Sequence, residues 1–218
     1  MSRPKMSQKA LLENDDVALT NAETQPEIAS EMAELGYNSG KISEGRTILN
    51  NAKAAYNENK REDDETSVAF KIYKQKHDDI DKLYSLDRKK AKVVFDEDTA
   101  VMKKLKLTGR IPQSYIRWVD SVETLYNELR SEPELQAKVA RLKITTERIS
   151  QALTLIDELK AARKEYLREK GESQEATQKK DEAFGKLDDW MSEFFKVARI
   201  ALEEKPQLLE ALGKVVKN

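Results

Sequence analysis

The feature that most constrains this chain is that it is written twice. Residues 26–97 align with residues 133–204 at a constant offset of 107, without a gap and with 20 identities in 72 positions. Pro26-Glu27 falls on Pro133-Glu134, Ile42-Ser43 on Ile149-Ser150, Lys53-Ala54-Ala55 on Lys160-Ala161-Ala162, Arg61-Glu62 on Arg168-Glu169, and Asp81 and Ser85 on Asp188 and Ser192. A tandem duplication calls for one supersecondary unit that buries its apolar face against its own copy.

Inside each copy the apolar residues recur at spacings of three, four and seven. They are Ile28, Met32, Leu35, Ile42, Leu49, Ala52 and Tyr56 in the first, and Leu135, Val139, Leu142, Ile149, Ile156, Leu159 and Tyr166 in the second. That period is the signature of a helix with one buried stripe. With 7 Gly and 5 Pro in 218 residues there are few breakers to interrupt it. Thr24-Gln25-Pro26-Glu27 and Ser131-Glu132-Pro133-Glu134 read as capping boxes with Pro in the first turn. They open helices over about 25–60 and 132–169. The polar stretches 61–66 and 169–173 read as turns, and second helices follow over about 65–95 and 173–204.

Each copy is therefore expected to be a helical hairpin, and two hairpins packed face to face cover both stripes. The expected fold is all-α: an elongated antiparallel four-helix bundle of two tandem helical-hairpin repeats, with additional short helices in the linker and at the termini. Its parts are an N-terminal arm (1–24), the first hairpin with its tail (25–112), a linker helix (113–131), and the second hairpin with the C-terminal tail (132–218). The linker helix carries an apolar face of Ile116, Val119, Val122, Tyr126 and Leu129, and residues 8–22 occupy the matching place before the first copy.

Composition narrows the chemistry. With no Cys, the chain has no disulfide framework, no thiolate nucleophile and no Cys-ligated metal site. One His excludes multi-histidine metal sites. His77 has Asp81 one turn on, but Lys74 stands where a di-iron bundle would need Glu, and the counterpart of His77 is Phe184. His77 is therefore read as a residue of the core edge. Gly36–Ser43 has a superficial likeness to a phosphate loop, but the spacing is one residue off and no strand precedes it. Gly36, Gly40 and Gly45 instead weaken the helix locally or admit a close neighbour. Carboxylate pairs such as Asp78-Asp79 and Asp188-Asp189 read as solvated faces. No catalytic residue, metal or cofactor is expected, and the chain is read as non-enzymatic.

The net charge is −1, 39 basic against 40 acidic residues, which gives no general attraction to nucleic acid or an anionic membrane. No apolar run is long enough to span a bilayer, and no export signal is evident, so a cytoplasmic location is expected. Locally the balance fails. Residues 11–34 hold seven acids and no base, while Arg88, Lys89, Lys90 and Lys92 begin a basic run that extends to Arg110. These blocks are either solvated helix faces or complementary ends that meet within or between molecules.

Leu107-Thr108-Gly109, Ser114, Trp118 and Leu125-Tyr126, followed by the helix start Pro133-Glu134-Leu135 and the terminal segment Glu204–Gly213, resemble an uncharacterised bacterial family of tandem helical-hairpin proteins. The resemblance covers about residues 100–213. It implies the same helical fold, assigns no activity, and carries over no functional residue. Lys106 departs from the family's linker, which tends to have Gly there.

The functional expectation is a structural or protein-interaction protein whose partner is itself or another protein. A ligand- or metal-binding bundle is the alternative, and a nucleic-acid or membrane-surface accessory using the basic run is the third. Trp190, Phe194 and Phe195 are the candidate contact, because the first copy has Leu83, Asp87 and Arg88 at those positions. Consecutive phenylalanines cannot both face one helix–helix seam. Either the C-terminal tail or the Trp118 helix folds over the surplus, or it forms an exposed patch that drives head-to-tail assembly with Arg88, Lys89, Lys90 and Lys92 as the opposing end.

Overall fold

The computed structural model describes residues 6–213, and the secondary structure of these residues is entirely helical. In chain order the elements are α1 (Gln8–Thr24), α2 (Pro26–Glu34), α3 (Ser39–Val94), α4 (Thr99–Lys104), α5 (Tyr115–Ser131), α6 (Pro133–Ala140), α7 (Thr146–Ala201) and α8 (Leu208–Ala211). Adding 107 to the bounds of α1 and α3 gives those of α5 and α7, so the duplication is kept to the residue in these helices.

The all-α fold is as expected, but the helix breaks lie elsewhere. Residues 61–66 and 169–173 are helical, so neither copy forms a hairpin; α3 and α7 are single helices of 56 residues each. Charged and polar residues do not by themselves stop a helix, and the single Gly171 in the second stretch weakens α7 without breaking it. The actual breaks fall inside the expected first helices. Gly36, at φ +87°, ends α2 with Tyr37 N–H donating to the Met32 carbonyl at 2.9 Å and Gly36 N–H to the Ala33 carbonyl at 3.1 Å. This is the Schellman pattern at a helix C-terminus. Asn38 then caps α3, its side chain accepting from Lys41 N–H at 3.1 Å. In the second copy Lys143 takes the place of Gly36 at φ +64°, and Thr145 that of Asn38. The expected capping boxes are also absent. Thr24 and Ser131 hydroxyls donate back to the Thr20 and Glu128 carbonyls, and only the prolines at the starts of α2 and α6 act as read.

The chain divides into two compact units, Met1–Asp64 with Gly171–Asn218, and Glu65–Lys170. Each unit takes elements from both copies. In the first, α1, α2, the start of α3, the end of α7 and α8 enclose a core of Leu19, Ile28, Met32, Leu49, Leu187, Met191 and Phe194. In the second, the end of α3, α4, α5, α6 and the start of α7 enclose Ile80, Tyr84, Leu105, Val122, Tyr126, Val139 and Ile156. The segments of α3 and α7 run antiparallel within each unit. Asn59 meets Thr177 and Asp63 meets Ser173 in the first; Lys76 meets Glu158 and Asp87 meets Arg148 in the second. Helix α5, inside the expected linker 113–131, is thus the counterpart of α1 in the second copy.

Candidate interaction site

The residues singled out from sequence are mostly interior. Phe194 is fully buried, and Trp190 and Phe195 are 7% and 6% exposed. They sit in the first unit's core, where α1, α2 and the tail with Leu202 and Leu212 cover the surplus apolar surface. Asn21 ties α1 to the Ala211 carbonyl at 2.6 Å, and Lys205 pairs with Glu27 and Glu31 of α2. Trp118 contributes to the second core instead. There is no exposed aromatic patch at residues 190–195, and the head-to-tail argument built on it falls.

Much of each charge block is engaged inside its own unit. Asp16 pairs with Arg46 and Lys53, and Glu23 with Arg46. Arg88 is buried and donates to the carbonyls of Leu107 at 2.8 Å and Gly109 at 3.0 Å, fastening the α4–α5 loop. Lys90 lies 3.8 Å from Asp87, Lys92 reaches the Gly109 carbonyl, and only Lys89 of the four is exposed. Asp87 has no exposed surface. It accepts from Arg148 Nε at 2.8 Å and from the Tyr126 hydroxyl at 3.1 Å. Burial first, and then the Asp87 carboxylate, push the Tyr126 hydroxyl far above its ordinary range, so it stays a donor. This network replaces Phe194, Leu19 and Lys41 of the first unit and is a structural element of the second core.

A different group of side chains reaches from the second core to the surface, with Trp118 buried, Tyr73, His77, Tyr115, Arg163 and Tyr166 half-buried and Phe70 exposed. Phe70, Tyr73 and His77 lie along one face of α3, Arg163 and Tyr166 on α7, and Tyr115 and Trp118 at the start of α5. Their rings form a connected strip. Phe70 is 5.3 Å from Tyr166, Tyr166 stacks on Tyr73 at 5.8 Å with 3° between planes, Tyr73 is 6.3 Å from Tyr115, and His77 stacks on Trp118 at 4.6 Å. The Arg163 guanidinium lies 4.1 Å from the centre of the Tyr115 ring. At one end of the strip is an open cleft of about 370 Å³ lined by Tyr73, His77, Asp81, Ser85, Tyr115 and Trp118, with the loop 111–113 on its rim. The Trp118 indole N–H donates to Asp81 Oδ1 at 3.0 Å. Burial raises the Tyr115 hydroxyl above its ordinary value.

No family model, curated protein or solved structure matches the chain. In the first unit the counterparts of Phe70, Tyr73 and Tyr166 are Thr177, Lys180 and Asn59, and those of Tyr115 and Trp118 are Gln8 and Leu11. Asn59 donates to Thr177 at 3.0 Å and accepts from Lys180 at 3.1 Å, a polar trio satisfied by itself. The same three positions of the α3–α7 pair are filled by hydrogen bonds in one unit and by three partly exposed aromatic rings in the other.

Sequence reasoning passed over the strip because each ring, taken singly, reads as core or as an isolated surface aromatic. The signal was in the repeat: three polar-to-aromatic exchanges at positions 59/166, 70/177 and 73/180. Among the described residues no helix is long and apolar enough to cross a membrane.

Proposed function

We propose that this is a non-enzymatic protein-interaction protein that presents the aromatic strip of its second unit to another protein. The observation that carries this is the exchange of the Asn59–Thr177–Lys180 trio for Tyr166, Phe70 and Tyr73. A polar trio fills these positions in the first unit, so the α3–α7 pairing does not itself require aromatics there, although Tyr73 also packs against the second core. Phe70 is 44% exposed, with Leu167 beside Tyr166 at 46%. Partly exposed Tyr, Phe and Trp offer large, stiff contact area at small entropic cost, and they are enriched where proteins recognise each other. Assembly through Phe194 and Phe195 is set aside because those rings are buried.

The test is site-specific photo-crosslinking in the native cell, with a photoreactive phenylalanine at position 70 and, as control, at exposed Ile200 of the first unit. The expected result is a discrete adduct at position 70 that is absent at 200. It should also be lost when Tyr73→Lys and Tyr166→Asn are added. The mass of the adduct separates a second copy from a different chain. Equal labelling at 70 and 200, or none at 70, overturns the reading.

A further inference from the structure

We infer that the cleft at the end of the strip holds a cationic side chain, Arg or Lys, of the partner polypeptide; this rests on the interaction reading and names its chemistry. The walls are the rings of Tyr73, Tyr115, His77 and Trp118, and the one formally charged group among the lining residues is the Asp81 carboxylate. Asp81 is fixed in place, since its Oδ1 accepts from the Trp118 indole, while Oδ2 takes no hydrogen bond from a described residue. Asp78, which does not line the cleft, lies 3.6 Å from His77 Nδ1. A carboxylate beside tyrosine and tryptophan rings attracts a cation by its charge, and a free ring face adds the pull of its quadrupole. One of these rings already holds a cation of the chain itself, the Arg163 guanidinium lying 4.1 Å from the Tyr115 ring centre although it does not line the cleft.

The counterpart positions isolate what is special. Asp81 and Ser85 recur as Asp188 and Ser192, whereas Tyr73, His77, Tyr115 and Trp118 become Lys180, Phe184, Gln8 and Leu11. The carboxylate is common to both units, and the aromatic cage belongs to one. In the first unit Lys180 stands at the position of Tyr73 and pairs with Asn59 and Asp181. A polypeptide source is favoured over a free small cation because the rings continue past the cleft through Tyr166 to exposed Phe70. That is farther than a small cation reaches.

The experiment is titration of the full chain, followed by the two tryptophan indole N–H signals in nitrogen–proton correlation spectra, that of Trp118 being assigned from Trp118→Phe. The probes are the capped peptide Ala-Ala-Arg-Ala-Ala, the same peptide with citrulline for Arg, and tetramethylammonium chloride. The expected result is a saturable shift of the Trp118 signal with the Arg peptide, at least about tenfold weaker with citrulline, while the Trp190 signal stays still. Asp81→Asn keeps an acceptor for the indole and removes the charge. It should weaken the Arg peptide by about tenfold or more with the melting temperature unchanged. No saturable shift, equal affinity for Arg and citrulline, or indifference to Asp81→Asn overturns the inference. Tetramethylammonium binding as tightly as the peptide overturns the polypeptide source. If the peptide fails while the adduct at position 70 persists, the cation is wrong and the interaction reading stands; loss of both removes both.

Discussion

Gly45 offers the sharpest test of the packing, because helix propensity and tertiary contact predict opposite signs there. In an exposed helix interior Gly→Ala stabilises by about 1 kcal/mol. At position 45, however, an added Cβ would lie 2.3, 2.6 and 2.6 Å from three carbons of the Trp190 indole. Contacts between carbons are comfortable at about 3.5–4.0 Å, so the ring would have to retreat by more than about 1 Å. It has little room to do so, being stacked on Phe194 at 5.6 Å and edge-on to Tyr37 at 5.7 Å. Overpacking of this kind costs about 1–3 kcal/mol or more, which outweighs the propensity gain. Gly45→Ala is therefore expected to destabilise by about 1–2 kcal/mol, a fall of about 2–4 °C in melting temperature per kcal/mol for a chain of this size.

The second unit supplies the rescue. Its counterparts of Gly45 and Trp190 are Ala152 and Leu83. Trp190→Leu alone should cost about 2–4 kcal/mol through the cavity it leaves. In that background Gly45→Ala should become stabilising by about 1 kcal/mol, giving a coupling of about 2–3 kcal/mol in the double-mutant cycle. Chemical denaturation followed by circular dichroism measures all four corners. If Gly45→Ala stabilises the parent and the Trp190→Leu variant equally, the close approach of helix and indole is not what holds this position as glycine.

Gly171 is the opposite case. Nothing lies within 4 Å of its added Cβ, so Gly171→Ala should stabilise by about 1 kcal/mol in thermal melts; a loss would indicate that α7 does not run through as one helix. Lys143 is held at φ +64°, where Gly36 sits in the other copy, so Lys143→Gly should gain about 0.5–1 kcal/mol net of unfolded-state entropy, and an unchanged denaturation midpoint would count against the left-handed cap. Asp87→Ala strips the partner from Arg148 and the Tyr126 hydroxyl and should cost about 3–5 kcal/mol in chemical denaturation, whereas a loss below about 1 kcal/mol would show that the network is dispensable. The hydrogen bond from Lys53, with the Arg46 charge behind it, holds the Asp16 carboxyl below its ordinary value. Its contribution is therefore complete above the unfolded-state value and lost as pH falls through the folded-state one. The stability gap between the parent and Asp16→Asn should close on acidification below the ordinary carboxylate range, and a gap that widens there would refute this sign.

Much of the site was written in the sequence without being legible in it. The pairs Asn59/Tyr166, Thr177/Phe70 and Lys180/Tyr73 are visible in the repeat alignment. That they form one trio follows only once α3 and α7 are set antiparallel within each unit, because their members are about a hundred residues apart along the chain. Lys106 was noted as a departure from glycine, and the structure gives the reason it matters: it lies at φ +51° and closes α4 with Leu107 N–H on the Met102 carbonyl.

What the sequence determined alone is the duplication with its offset of 107 and the helical character of both copies. Periodicity, propensity and composition are properties of neighbours along the chain, and those can be read directly. Where the helices stop was only half written. Gly36 announces its own left-handed turn, but Lys143 adopts the same turn without a glycine to signal it, between Val139 and Ile144 of the second core. The fate of Phe194 and Phe195 was left entirely to tertiary structure. Two adjacent rings exceed what one helix seam can bury, and α1, α2 and the C-terminal tail close over them from sequence positions more than 150 residues away or beyond the helix end. Burial is decided by everything that packs around a residue, so it cannot be read from the residue's own helix.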